Sequence, residues 1–396
     1  MPTPSQPAGN SQLSIVILAI VAFVIVSTEF LIVGLLPGIA GDLNVSVALA
    51  GQLVTLFAFT VMVFGPPLTL LMSHLDRKRL FVAVMVVFAL ANALAAMAPN
   101  LWVLGVARFI PALLLPVFWG TASETATRLV KPEAAGRAVA RVYLGISGAL
   151  LFGIPLGTLA AGTVGWRGAF WGFAALSLLS AVMLALFMPA LQKPERLRIG
   201  HQFAILRDGR FLMQVGLSVL VFSAMFTAYT YLAETLERLA GVPAAQVGWW
   251  LMAFGAVGLV GNTLAGRVTH RSPLDATVLF TALLGVGMAA TAWLVHAMVP
   301  MVVALVVWGI AYTALFPVCQ LRVMQAAPQA QAFAGTVNVS AANAGIGLGA
   351  MIGGLAINHL GLGSLGYVAA SLAVLAVLMA LAMRRGASSF AAASAA

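Results

Sequence analysis

Charge is scarce in this 396-residue sequence, in which Asp, Glu, Lys and Arg together make up 8% of the residues. A water-soluble domain carries about 25% of such residues, so this scarcity excludes a water-soluble fold. The single cysteine, Cys319, excludes a disulfide framework and a cysteine metal cluster. The sequence has no phosphate-binding Gly-x-x-x-x-Gly-Lys-Ser/Thr loop, and its histidines lack metal-ligand spacing. We therefore expect no ATP-driven chemistry, no metal and no cofactor.

Long apolar runs are present instead, and hydrophobic residues make up 62% of the chain. A helix needs about 20 apolar residues to cross the hydrocarbon core of a bilayer. Runs of that length recur between turn or charge signals, which predicts an all-α membrane protein with twelve transmembrane helices. The predicted spans are 13–38, 48–72, 80–98, 101–128, 138–162, 167–189, 211–234, 244–268, 275–295, 299–322, 331–358 and 362–384.

The longest polar stretch, 192–210, falls between the sixth and seventh spans. It predicts a cytoplasmic linker between an N-terminal six-helix bundle, 1–191, and a C-terminal one with a short tail, 211–396. The two parts repeat weakly, since Ala58-Phe59 maps onto Ala253-Phe254. A parallel repeat of this kind is typical of transporters, with the solute site at the repeat interface.

The basic residues predict the orientation of the chain in the membrane. With both termini in the cytoplasm, 17 of the 20 Lys and Arg residues fall on the cytoplasmic side, as the positive-inside rule requires. The net charge of +10 is therefore a topology signal, and we expect no nucleic-acid partner. The cytoplasmic set comprises Arg77, Lys78, Arg79, Arg128, Lys131, Arg137, Arg141, Lys193, Arg196, Arg198, Arg207, Arg210, Arg267, Arg271, Arg322, Arg384 and Arg385.

Glu29 and Arg108 are charges inside predicted spans. Glu29 is the only charge between Leu13 and Pro37, and intramembrane charges are expensive and commonly functional. The rise per residue places both side chains roughly 10–12 Å below the same membrane face, so they can pair if their helices are neighbours. Burial opposes the charged carboxylate while a guanidinium favours it. We interpret the pair as a proton-coupling site; the alternative is a static buried ion pair or an arginine bound to main-chain carbonyls.

Other polar and aromatic residues lie within predicted spans, and for each a packing role competes with solute binding. Trp119 follows Arg108 by eleven residues and faces the same way. For Gln320 and Asn343, cavity lining and hydrogen bonding between helices both stay open. The full set of candidate solute-binding residues is Trp119, Phe118, Tyr229, Tyr231, Gln320, Asn343 and Asn262. Elsewhere, Glu124 is expected to pair with Arg128, and Glu234 and Glu237 to lie with Arg238 on a solvated rim.

These features resemble the major facilitator superfamily over about residues 13–385. Arg108 lies in a stretch similar to the family's fourth-span motif, whose arginine is tied to proton transfer. Gly153, Pro155 and Gly157 resemble the fifth-span motif of antiporters. The loop containing His74, Asp76, Arg77 and Arg79 keeps the family's basic cluster but departs from its usual aspartate and glycine.

A narrower resemblance is to the bacterial sugar-efflux and chloramphenicol-efflux branch of the drug/proton antiporters. Thr28-Glu29-Phe30, Phe118-Trp119, and Tyr229 with Tyr231 carry it. It implies proton-coupled efflux of a drug-like or sugar-like solute across the bacterial cytoplasmic membrane, by a monomer. The alternatives are a proton symporter doing uptake, a non-transporting membrane receptor, or an intramembrane enzyme; no paired aspartates or His-Glu-x-x-His helix favour an enzyme.

Overall fold

The computed structural model describes residues 8–72, 74–131, 135–189, 202–269 and 272–395. These residues form helices and short connections, and they contain no strand. The α-helices are α1 Ala8–Asp42, α2 Val47–Met72, α3 Arg77–Ala96, α4 Leu101–Arg128, α5 Ala135–Gly148, α6 Ile154–Phe187, α7 Gly209–Tyr229, α8 Leu232–Glu234, α9 Ala244–Thr269, α10 Pro273–Trp293, α11 Met298–Gln325, α12 Gln331–Leu360 and α13 Leu365–Ala395.

Eleven helical segments in the described ranges are long and apolar enough to cross a membrane. One of them, Arg141–Phe187, has 47 residues, about twice the length that a single span needs. Gly165, at φ 73° and ψ 167°, breaks the helical conformation inside this segment and divides it into two spans. A left-handed φ of this kind favours glycine, which has no Cβ. The predicted all-α membrane fold with twelve spans is therefore confirmed.

Side-chain caps explain where several helices begin. Asp76 accepts a hydrogen bond from the backbone N–H of Arg79 at 2.9 Å, which starts α3. Asn100 accepts from Val103 at 3.0 Å at the start of α4. Each cap satisfies a backbone donor that has no partner within its helix. The polar residues between apolar runs thus mark the ends of the spans.

The chain folds into two compact units. The first comprises Met1–Asn44, Val63–Leu197 and Ala244–Met252, and the second comprises Val45–Met62, Arg198–Pro243 and Ala253–Ala396. These groupings differ from the predicted bundles in α2 and α9, each of which contributes residues to both units. The division of the chain at 192–210 stays a prediction, and residues 192–201 of that linker lie outside the described ranges.

Some of the predicted basic loop residues also lie outside the described part of the chain. They are Lys193, Arg196, Arg198 and Arg271.

Glycines bring pairs of helices into close contact within each unit. In the first unit, a Cβ at Gly153 would overlap the Ser27 hydroxyl of α1. In the second, a Cβ at Gly349 would lie 2.6 Å from the Ser223 carbonyl oxygen of α7. Because lipid tails are as apolar as the helices, close packing of small residues is a main source of helix association in membranes.

Candidate functional site

Arg108 connects α4 to the centre of α1. Its guanidinium is 1% exposed, with one terminal nitrogen donating to the Thr28 carbonyl oxygen at 2.7 Å and the other to that of Glu29 at 2.6 Å. The planar guanidinium fork suits this double contact. The structure thus brings together the two residues that the sequence analysis paired. Arg108 donates to the main-chain carbonyl of Glu29, as in the alternative interpretation of an arginine bound to main-chain carbonyls.

The Glu29 side chain is half-buried and interacts electrostatically with the Arg108 guanidinium. A carboxylate at this depth has little water around it, so its charge depends strongly on this cation. Protonation of Glu29 would remove that attraction but leave the two main-chain hydrogen bonds of Arg108 in place. The arrangement therefore suits a carboxylate that changes charge beside a fixed guanidinium.

Asn92 is a member of this site that the sequence analysis missed. It is buried in α3, and its side-chain amide donates to the Thr28 hydroxyl at 3.4 Å. Thr28 thus contacts α3 through its side chain and α4 through its carbonyl. Asn92 could have been found because it lies within the third predicted span, and a side-chain amide inside the membrane needs a hydrogen-bond partner.

The glycine-proline motif also packs against α1. The turn Ala149–Gly153 is π-helical, with the Ile154 N–H bonded to the Ala149 carbonyl, and it immediately precedes Pro155 and Gly157. A Cβ at Gly157 would overlap Leu31 of α1. This motif therefore sets the close approach of α5 and α6 to the segment that carries Glu29.

The loop motif before α3 forms an ion-pair cluster. Arg77, expected to be a loop cation, is 2% exposed and lies 2.6 Å from the Glu124 carboxylate. Glu124 also pairs with Arg128 at 2.6 Å, which confirms the predicted pair. Asp76 acts as the helix cap described above, while His74 is half-buried and Arg79 exposed. The sequence did not reveal the pair of Arg77 and Glu124, because these residues are 47 positions apart and meet only in the folded chain.

The two aromatic candidates of α4 differ in position. Phe118 is fully buried, with its ring centroid 5.6 Å from that of Phe81. This places Phe118 in packing, not on a solute-accessible surface. Trp119 is half-buried, and its ring lies 5.3 Å from that of Tyr143. Solute contact by Trp119 stays a prediction.

Tyr229, the last residue of α7, and Tyr231, which follows the helix, have different surroundings. Tyr229 packs against Tyr312 with ring centroids 4.4 Å apart, inside a cluster that includes Phe254. Tyr231 is buried and donates its hydroxyl hydrogen to the Ala350 carbonyl at 2.8 Å. The position of Tyr231 is thus explained by packing and one hydrogen bond, whereas Tyr229 belongs to a buried aromatic cluster of the second unit.

The amide candidates of the second unit differ in their contacts, and Gln320 connects two helices. Gln320 donates to the Gly335 carbonyl at 3.3 Å and accepts from Asn338 at 2.6 Å. These contacts favour interhelical hydrogen bonding over cavity lining. Asn343 donates to Val339 in its own helix, and its buried carbonyl oxygen has no hydrogen-bond partner among the described residues. Asn262 is half-buried in α9.

Two charges are more buried than the sequence indicated. Glu234 was expected on a solvated rim, but it is 3% exposed and pairs with Arg238 at 2.7 Å. Arg322 was expected in a loop, yet it is 3% exposed in α11. Its guanidinium donates to the Gln214 carbonyl at 3.0 Å, the Gln214 side chain and the Ser218 hydroxyl at 2.8 Å. In both cases helix packing covers a residue near the end of a helical segment.

Comparison with known proteins places these features in one family. The model described as "Major Facilitator Superfamily" matches residues 18–335 and 211–393. The chain is 35% identical over 367 residues to the inner membrane transport protein YdhP of Escherichia coli strain K12, covering 91% of this chain and 94% of that protein. It is 29% identical over 365 residues to a "Probable sugar efflux transporter" of Mannheimia succiniciproducens, covering 92% of each chain.

Solved structures show the same fold at low sequence identity. A bacterial homolog of the human lysosomal transporter Spinster, in an inward-facing and occupied conformation, matches with a TM-score of 0.78 at 16% identity, over 96% of this chain and 98% of that one. A D-xylose-proton symporter matches with a TM-score of 0.74 at 15% identity, over 93% and 96% of the two chains.

Proposed function

The chain belongs to the Major Facilitator Superfamily and is a multi-pass membrane transporter of small solutes, and from this premise we propose that it is a proton-coupled efflux transporter. It exports a drug-like or sugar-like organic solute across the bacterial cytoplasmic membrane, with both termini in the cytoplasm. The relatives named for inner-membrane transport and for sugar efflux support the location and the direction.

The observation that carries the proposal is the contact between Arg108 and the α1 segment at Glu29. Glu29 takes up a proton when it is accessible from the outer side. The neutral side chain is no longer attracted to Arg108, and this changes the relative free energies of the two orientations of the transporter. Solute and proton couple because each has a different affinity for these orientations.

The first step of the test identifies a solute. A panel of sugars and chloramphenicol is screened by thermal shift with the purified protein. The best ligand is then followed in proteoliposomes under a pH gradient that is acid on the outer face. We expect the wild-type protein to exchange this solute for protons.

The second step replaces Glu29 with the isosteric, non-titrating glutamine. Glu29→Gln is expected to abolish pH-driven transport while leaving the unfolding temperature and the ligand-induced thermal shift close to wild type. Glu124→Gln is the matched control, because it removes a carboxylate of the Arg77–Arg128 cluster and not of this site. Unchanged proton/solute exchange in Glu29→Gln would reject the proposal.

A further inference from the structure

A groove of about 490 Å³ lies between α1 and α5 in the first unit. The residues from α1 include Val16, Ile20 and Phe23, and those from α5 include Leu144 and Gly148. Small-molecule sites have volumes of roughly 300–1,000 Å³. The groove is therefore large enough for a small organic ligand.

Helical spacing gives the groove its shape. Positions 16, 20 and 23 recur every three or four residues along one face of α1, and 141, 144 and 148 do so along α5. Each face extends over seven residues, or about 10 Å at 1.5 Å per residue. The groove is thus an elongated apolar trough between two helices.

A glycine keeps one end of this trough open. A Cβ at Gly148 would lie 3.4 Å from the Phe23 ring, an ordinary contact distance, so larger side chains at this position would extend into the groove. Substitution here is therefore a way to fill the site without displacing the backbone.

A single cation marks the opposite end. Arg141 is exposed, and its guanidinium donates to the side-chain oxygen of Gln12, which is neutral. No carboxylate lies within 4 Å of Arg141 in the part of the chain that the structure describes. The guanidinium therefore keeps donors for an anionic group, with which it forms strong charge-assisted hydrogen bonds.

We propose that this groove binds a small amphiphilic anion. Its alkyl or aryl body lies on Val16, Ile20 and Leu144, and its carboxylate or phosphate binds Arg141. The groove is the cytoplasmic loading site for the transported solute, which is then an anionic member of the drug-like class; this second statement rests on the proposed function, whereas the binding itself does not.

The binding test uses the full-length protein in nanodiscs of neutral phosphatidylcholine. The probe is sodium octanoate, whose extended chain is about as long as the groove, and octylammonium is the cationic counterpart. Calorimetry against empty nanodiscs separates binding from partitioning into lipid. We expect saturable binding of octanoate and none of octylammonium.

Three variants assign the binding to the groove. Arg141→Gln should weaken octanoate binding by about tenfold or more, since one charge-assisted contact is lost. Gly148→Leu should abolish it by filling the trough. Arg207→Gln, which removes another exposed arginine outside the groove, should bind as the wild type does. If Gly148→Leu fails to fold, the comparison of Arg141→Gln with Arg207→Gln still decides the result.

Three results would overturn the proposal: equal binding of octylammonium, equal weakening by Arg207→Gln, or loss of octanoate binding in phosphatidylglycerol nanodiscs. The last result would assign the groove to an anionic lipid. Octanoate binding by a wild-type protein that shows no proton/solute exchange would reject the proposed function but leave the groove assignment intact.

Discussion

Arg108 in the first unit and Arg322 in the second are both buried, yet their surroundings differ. Arg108 donates to two main-chain carbonyls on α1, and one of these belongs to Glu29. Arg322 donates to a carbonyl, an amide and a hydroxyl on α7, and no ion pair includes it in the described ranges. The carboxylate of Glu29 thus lies beside Arg108, whereas the hydrogen-bond partners of Arg322 on α7 are neutral.

Replacing Arg108 by lysine should have the strongest effect, and the same change at Arg322 is the comparison. Lysine keeps the charge but cannot present a planar fork to two carbonyls. Arg108→Lys should lower proton/solute exchange by about 100-fold, because about 3 kcal/mol of positioning energy at Glu29 is lost. Arg322→Lys should lower it by less than about threefold. Exchange assays in proteoliposomes measure both, and equal losses would contradict the distinction between the two arginines.

A smaller effect is expected from removing the Arg322 guanidinium. Arg322→Met leaves the half-buried Gln214 and the buried Ser218 without this partner, which should destabilise the protein by about 2 kcal/mol. The pH dependence of exchange should stay as in the wild type, since no titrating group is removed. Unfolding in detergent and the exchange pH profile are the readouts, with Arg207→Met as the exposed control. A shifted pH profile would show that the second unit also takes part in proton coupling.

The smallest effect is expected at Asn92, the neutral residue that donates to Thr28 in the first unit. Asn92→Ala removes one long hydrogen bond to Thr28, worth about 0.5–1 kcal/mol. Exchange should fall severalfold while the unfolding temperature changes little. Asn358→Ala, at an exposed position in α12, should change neither quantity. Wild-type exchange in Asn92→Ala would remove Asn92 from the site and restrict it to Glu29 and Arg108.

Local sequence signals predicted those features that depend on residues close together in the chain. Apolar runs between polar caps predicted the spans, and four-residue spacing predicted the pairing of Glu124 with Arg128. Such features succeed because lipid forces each span to satisfy its own backbone hydrogen bonds.

Pairings between distant helices could not be predicted in the same way. The hydrogen-bond partners of Gln320 and Tyr231, which are Gly335, Asn338 and Ala350, were not evident from the sequence. Likewise, Glu234 was expected to be solvated because it lies near the end of a span. That position does not reveal which residues cover the side chain in the folded chain. A polar side chain in a membrane needs a partner, but its own helix does not specify which neighbour supplies one.

Sequence alone was enough to predict that this chain spans a membrane, where its spans lie, and that Glu29 and Arg108 are charges at similar depth. Helical periodicity and the cost of charge in lipid are enough for these conclusions. The packing of the helices was needed to show that Arg108 binds the main chain of Thr28 and Glu29, that Asn92 joins them, and that Arg322 is buried among neutral groups. The reason is physical: periodicity fixes the face of a helix on which a residue lies, whereas packing selects the helix that this face meets.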